Sequence, residues 1–269
     1  MSDETARRRP RGHRSDGERS RSAILDAAAR LATTEGISGL SLSRLADAVG
    51  MSKSGLFAHF GSKEELQLAT VERADSLFSA QVVEPARAAG RGLGQLRMLV
   101  HGYLAYLEAD TFPGGCFFAS VLAEVDMQPG AVRDRLVRFL SEWLGLIETA
   151  VRDAQADGAI DPAEDPAQIT FEIEAALLLA NAQYIVSRTA EPIERARRAI
   201  DRRLAAAGAP ALACPDGRVG FQAELDSGWA PGGWSLARSS SASGWLTSSN
   251  IRRACVQAWR ASSSEPASW

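Results

Sequence analysis

Lys53, Ser54 and Gly55 stand together directly after Ser52, with Phe57, His59 and Lys63 close behind. A cation, a hydroxyl and a residue without a side chain suit close approach to phosphates and to the edges of bases. This chemistry is binding, not bond-breaking. His13, His59 and His101 are scattered, and so are Cys116, Cys214 and Cys255. None has a second ligand at metal spacing, and three distant cysteines form neither a disulfide framework nor a zinc site. The chain has no phosphate-cradling glycine loop and no nucleophile elbow. Glu124 and Asp126 are close in sequence, but residues two apart on a helix face different ways. The expectation is a protein that is not an enzyme and needs no cofactor.

The elements that would position Lys53 to Gly55 are legible from capping chemistry. Ser41 can cap a short helix whose Leu45, Ala46 and Val49 face one way, and Gly50 can end it in the left-handed conformation. Ser52 can cap a second short helix with Leu56 and Phe60 inside, and Ser62 to Glu65 is a capping box opening a third. Two short helices across a tight turn make a helix-turn-helix, whose second helix enters the DNA major groove. The same pattern also describes an ordinary helical hairpin in a bundle core.

The rest of the described pattern is helical. The segment 20–35 has Ile24, Ala27, Ala28 and Leu31 at helical spacing, closed by Gly36. A longer helix is expected from Ser62 to about Val83, stopped by Pro85, with 86–94 as a loop. Further helices are expected over 94–108, 116–125, 131–156, 166–187 and from Glu191 toward Gly208, with no strand and no internal repeat. Tyr103, Tyr106, Phe112, Cys116, Phe117, Phe118, Leu122, Trp143 and Ile147 fall on the middle helices. Such aromatic and apolar walls suit a small-molecule pocket, and they suit a packed core equally. Cys116 follows two glycines and reads either as a sensor thiol or as an inert buried one. Phe171, Ala175, Leu178, Leu179, Ala182, Ile185 and Val186 form one broad apolar face, and Ile193, Ala196, Ile200 and Leu204 form another. Each is either a dimer surface or internal packing.

At both ends the composition changes. Residues 1–18 carry Arg7, Arg8, Arg9, Arg11 and Arg14 without apolar periodicity, which reads as a disordered arm that follows DNA or merely solubilises. Residues 211–269 are rich in Gly, Ser and Pro with scattered tryptophans, and read as a mostly disordered tail with a short helix near Ile251 to Arg260. Net charge is −3, but unevenly spread. Up to Thr70 there are 11 Lys and Arg against 9 Asp and Glu; beyond it, 19 against 24. The slightly positive end carries the helix-turn-helix, which is weak support for DNA binding. No apolar run approaches the roughly 18 residues that cross a bilayer, and no signal-peptide pattern follows the first arginines. A cytoplasmic protein without membrane partners is expected.

The segment from about Arg19 to Ala74 resembles the amino-terminal domain of TetR/AcrR-type repressors. The residues that carry it are Ile24-Leu25-Asp26-Ala27-Ala28, Leu31, Glu35-Gly36, Leu40-Ser41, Leu45-Ala46, Val49-Gly50, Leu56-Phe57, His59-Phe60, Ser62-Lys63 and Leu66. The resemblance covers the helical middle in general shape only. It implies an all-α protein: a three-helix head over 19–78, a ligand-binding and dimerisation body over 79–210, and a homodimer that reads a palindromic operator in double-stranded DNA. It places Lys53, Ser54 and Gly55 at base edges, Ser41 and Ser43 facing phosphates with Arg44 next to them, and Ser52 among the DNA-binding residues. His59 and Lys63 match positions that meet the backbone. Phe57 departs from a tyrosine whose hydroxyl donates to phosphate, so that contact is lost. The implied activity is a repressor released by an unknown small-molecule effector. Two rivals remain open from sequence: a DNA-bound adaptor whose body binds protein, and a helical enzyme domain fused to a reading head.

Overall fold

The computed structural model describes residues 12–125 and 129–210. The expected arm up to Arg11 and the tail 211–269 lie outside the described residues. Ten α-helices and one π-helical turn occur among the described residues, and no strand. They are α1 (Gly12–Glu35), α2 (Leu42–Val49), α3 (Lys53–Phe57), α4 (Lys63–Phe78), a π turn (Ser79–Val83), α5 (Glu84–Ala88), α6 (Leu93–Glu108), α7 (Phe117–Val125), α8 (Ala131–Ala156), α9 (Pro166–Ser187) and α10 (Glu191–Ala206).

Two apolar cores follow from the helical periodicities. The head core gathers Ile24, Ala28, Leu40, Leu45, Ala46, Leu56, Phe60 and Leu66 from α1 to α4. The body core runs continuously through α6 to α10, and it also takes in Ala29, Ala32 and Ile37 beside Val71, Ala74 and Phe78. Both cores therefore share α1 and α4. The Arg73–Asp26 ion pair, 2.7 Å, ties these two helices together.

Three expectations about helix ends need correction. α1 begins at Gly12 and not near Ser20, so the last third of the supposed arm is helical. Extending an existing helix avoids the cost of nucleation. Pro85 does not end the long helix. It sits in the first turn of α5, where its missing N–H costs little. The preceding π turn, closed by Glu84 N–H donating to the Ser79 carbonyl, is wider than an α turn and relieves the ring of the carbonyl one turn back. The loop expected over 86–94 is thereby reduced to a few residues around Gly90 and Gly92.

On α10 the second apolar face is internal. Ile193, Ile200 and Leu204 are buried within their own chain, with Ala196, against α9. They are core residues and not a free surface, because α9 and α10 pack as an antiparallel pair that uses up this stripe. α9 itself keeps an exposed apolar stripe: Phe171 is 69 % exposed and Val186 86 %, with Leu178 and Leu179 between them. Ala175 and Ala182 are exposed on the same helix. No unbroken apolar run reaches bilayer length, since Glu172 and Glu174 interrupt α9. Its 18-residue mean hydropathy of 1.3 nevertheless makes it long and apolar enough to cross a membrane by composition alone.

Candidate nucleic-acid interface

The head is built on three serine caps. Ser41 Oγ accepts from Arg44 N–H at 3.2 Å and starts α2. Gly50, at φ 67°, ends α2 with its N–H on the Ala46 and Asp47 carbonyls. Ser52 Oγ accepts from Gly55 N–H at 3.1 Å and starts α3. Gly55 lets this cap sit close: a Cβ there would lie 3.2 Å from Ser52 Oγ. Ser62 Oγ accepts from Glu65 N–H at 3.0 Å, while Glu65 Oε2 reaches back to Gly61 N–H at 2.9 Å. The box is thus completed one residue earlier than the usual pattern.

These caps fix which side of α3 faces outward. Leu56 and Phe60 are fully buried, whereas Lys53, Ser54, Phe57 and Ala58 are exposed. Positions 53, 54, 57 and 58 follow the i, i+4 rule and share one helix face. Ser41, Arg44, Ser52 and Lys63 are exposed as well; Ser43, Gly55 and His59 are half-buried.

Two of the cations read as phosphate contacts already hold partners within the chain. Arg44 grips Glu35 through Nε at 3.1 Å and a terminal nitrogen at 2.8 Å. The hydrogen bond from Arg44 holds the Glu35 carboxyl below the usual carboxylate range, and Glu35 in turn raises Arg44. Lys63 Nζ donates to the Ser38 carbonyl at 2.6 Å. Both contacts lie at the surface, where ion pairs contribute little, so exchange for a phosphate is cheap. Arg21 lies over the Phe60 ring, 4.3 Å from its centre, and donates to the His59 carbonyl. It braces the end of the helix-turn-helix, a role no local sequence pattern signals.

The residues read as pocket walls converge in the body. Tyr103, Tyr106, Phe112, Cys116, Phe117, Phe118, Trp143 and Ile147 are buried and Leu122 is half-buried. Phe78, at the end of α4, is their hub: its ring lies 5.2 Å from Trp143, 5.5 Å from Tyr106 and 6.0 Å from Phe118. The Tyr103 and Tyr106 hydroxyls are buried beside the Cys116 thiol and the Phe117 backbone, and neither makes a well-formed hydrogen bond. Trp143 Nε1 donates to Glu174 Oε2 at 2.8 Å, and burial raises the Glu174 carboxyl. Burial likewise raises the Cys116 thiol, so it is a poor nucleophile. A cleft of about 520 Å³ opens beside this cluster, with Phe78, Phe139 and Trp143 in its wall and Asp75 and Glu142 among its polar residues.

Among the polar contacts between head and body is one that sequence reasoning missed. Glu124, on α7, accepts from the backbone N–H groups of Ile37 at 2.7 Å and Ser38 at 2.8 Å. Gly36 makes room for it: φ is 82°, and a Cβ would meet Glu124 Oε2 at 2.8 Å. The partners are more than eighty residues apart, so no local motif could announce them. The loop before α7 docks nearby, where Gly114 N–H donates to Thr33 Oγ1 at 3.2 Å.

An all-helical body beneath a helix-turn-helix head is the architecture of a class of DNA-binding transcriptional regulators. Residues 24–70 match the family described as bacterial regulatory proteins, tetR family, and residues 92–200 match the tetracyclin repressor-like C-terminal domain. The chain belongs to the TetR family of transcriptional regulators. It is 29 % identical over 144 residues to the HTH-type transcriptional activator FasR of Mycolicibacterium smegmatis, a match spanning 51 % of this chain and 65 % of that one. It is 25 % identical over 162 residues to the transcriptional regulator AcuR of Cereibacter sphaeroides, covering 60 % and 73 %. A TetR regulator from Chloroflexus aurantiacus superposes with a TM-score of 0.61 at 26 % identity, over 71 % of this chain and 95 % of that one. AibR, solved with isovaleryl coenzyme A and operator DNA, shares the fold, with a TM-score of 0.56 at 22 % identity over 71 % and 99 %.

Proposed function

We propose that this chain is a cytoplasmic, homodimeric repressor that binds a palindromic operator and releases it when a small molecule enters the body. The observation that carries the reading is the outward face of α3, with Lys53, Ser54, Phe57 and Ala58 presented together on a capped, rigid helix. Lys53 and Ser54 meet base edges at the floor of the major groove, and Ser41, Ser43, Arg44, Ser52, His59 and Lys63 meet phosphates. A palindrome needs two heads about one DNA turn apart, roughly 34–36 Å. The exposed stripe of α9 from Phe171 to Val186 supplies an apolar surface on which a second copy can pair. FasR is described as an activator; repression is proposed here as the simpler outcome of a dimer occupying its operator.

The effector reading rests on the body cluster. Two buried hydroxyls with only poorly formed hydrogen bonds are costly, and a ligand that satisfies them recovers part of that cost. Phe78 ends the helix that leads into the head, and α7 carries both Phe117 and Glu124. A ligand that parts these rings therefore biases the angle of α4 and the Glu124 contact at once, and it shifts the population toward the wrong head spacing. The test is a thermal-shift screen of aromatic and acyl metabolites, followed by titration of each stabilising compound into the protein–operator complex. A compound that raises the melting temperature and releases DNA is expected. Stabilising compounds that all leave the complex intact would refute the effector reading.

A further inference from the structure

Among the described residues, the large exposed apolar side chains are Phe57, Val137, Phe171, Leu178, Leu179 and Val186. Five of them lie on α8 and α9 in the body; the head exposes Phe57 alone, at 53 %. Its ring is not part of the head core, which closes around Leu56 on α3 and Phe60 just beyond its end. It stands one helical turn beyond Lys53, on the face that also carries Ser54 and Ala58. A phenyl ring has neither donor nor acceptor, so it can hold no phosphate and read no polar base edge. The apolar group a base pair offers in the major groove is the C5-methyl of thymine.

We propose that Phe57 reads the methyl group of a thymine in each operator half-site, and so sets part of the sequence preference. The proposal rests on the operator-binding reading above. Four residues along a helix advance about 6 Å, and base pairs are stacked about 3.4 Å apart. The thymine is therefore expected roughly two base pairs from the pair that Lys53 contacts, which its ammonium would favour as G·C. A lysine and a phenyl ring one turn apart thus specify a polar step followed by an apolar one.

The experiment starts from a random duplex pool selected on the full-length protein. Each thymine of the enriched duplex is then replaced by deoxyuridine, which removes only the methyl, and binding is read by fluorescence anisotropy. Replacing one thymine should weaken binding about fourfold, the value of one buried methyl, and replacing its symmetry mate as well should weaken it about sixteenfold. Phe57→Ala should bind the thymine and deoxyuridine duplexes equally, with an unchanged melting temperature. An enriched duplex in which no thymine methyl matters to the wild type would overturn the inference and leave the operator reading standing. The same deoxyuridine penalty in Phe57→Ala would also overturn it, assigning the methyl to another residue. Failure to enrich any sequence would overturn the operator reading itself, and this inference with it.

Discussion

Removing the Glu124 carboxylate should loosen the head from the body by a predictable amount. In Glu124→Ala the N–H groups of Ile37 and Ser38 lose acceptors at 2.7 and 2.8 Å. A hydrogen bond to a charged group contributes about 1.5–3 kcal/mol. The contact is only half-buried, so water re-solvates part of what is lost, and about 2–3 kcal/mol in total is expected. For a helical unit of this size each kcal/mol lowers the melting temperature by about 2–4 °C, giving a drop of about 4–12 °C by calorimetry. Glu124→Gln keeps one acceptor oxygen and should fall near half of that. The Ile37 and Ser38 amides should exchange with deuterium faster than those of α9. Gly36→Ala supplies a second arm, because its Cβ would lie 2.8 Å from the Glu124 carboxylate. Alone it should destabilise strongly; in the Glu124→Ala background its further cost should shrink to the backbone strain at φ 82°. A melting temperature within 2 °C of wild type for Glu124→Ala, with additive effects in the double variant, would refute the reasoning.

Leu178→Asp, on the exposed α9 stripe, should leave the protomer folded and shift light scattering from dimer to monomer; a retained dimer would move the interface elsewhere. Lys63→Ala should weaken operator binding about equally on all sequences and reduce the slope of log affinity against log salt by roughly 1, whereas an unchanged slope would take Lys63 off the DNA. His101, between Arg97 and Arg197, is held by burial and by their charge at about 4, below its ordinary value. Its folded value is depressed, so the unfolded chain takes up the proton first, and stability falls as pH drops from about 6.5 to about 4, by up to about 3 kcal/mol. His101→Gln should flatten that part of the denaturation-against-pH curve relative to wild type; parallel curves would contradict it.

What the sequence made legible was local chemistry. Ser41, Ser52 and Ser62 each act as the cap their position suggests, and Gly50 adopts the left-handed conformation that ends α2. Capping depends on residues three or four apart, so a chain read in order reveals it. Pro85 misled because the relief it needs comes from a π turn that no composition announces. The α10 face misled because apolar periodicity says that Ile193, Ile200 and Leu204 are covered, and not by which chain. Convergence of the aromatic residues was visible as a class, but Phe78 as their hub was not, since it belongs to the helix that also serves the head. Glu124 and Arg21 were invisible as anchors because their partners are distant in sequence.

The central claim is that two copies of α3 read one duplex in successive major grooves. The direct measurement is chemical footprinting of a selected duplex bound by the full chain, beside Lys53→Ala and the mass of the complex. Two protected major-groove patches about one turn apart, two chains per duplex, and loss of both patches in Lys53→Ala are predicted. A single patch, one chain per duplex, or full protection by Lys53→Ala would contradict the account.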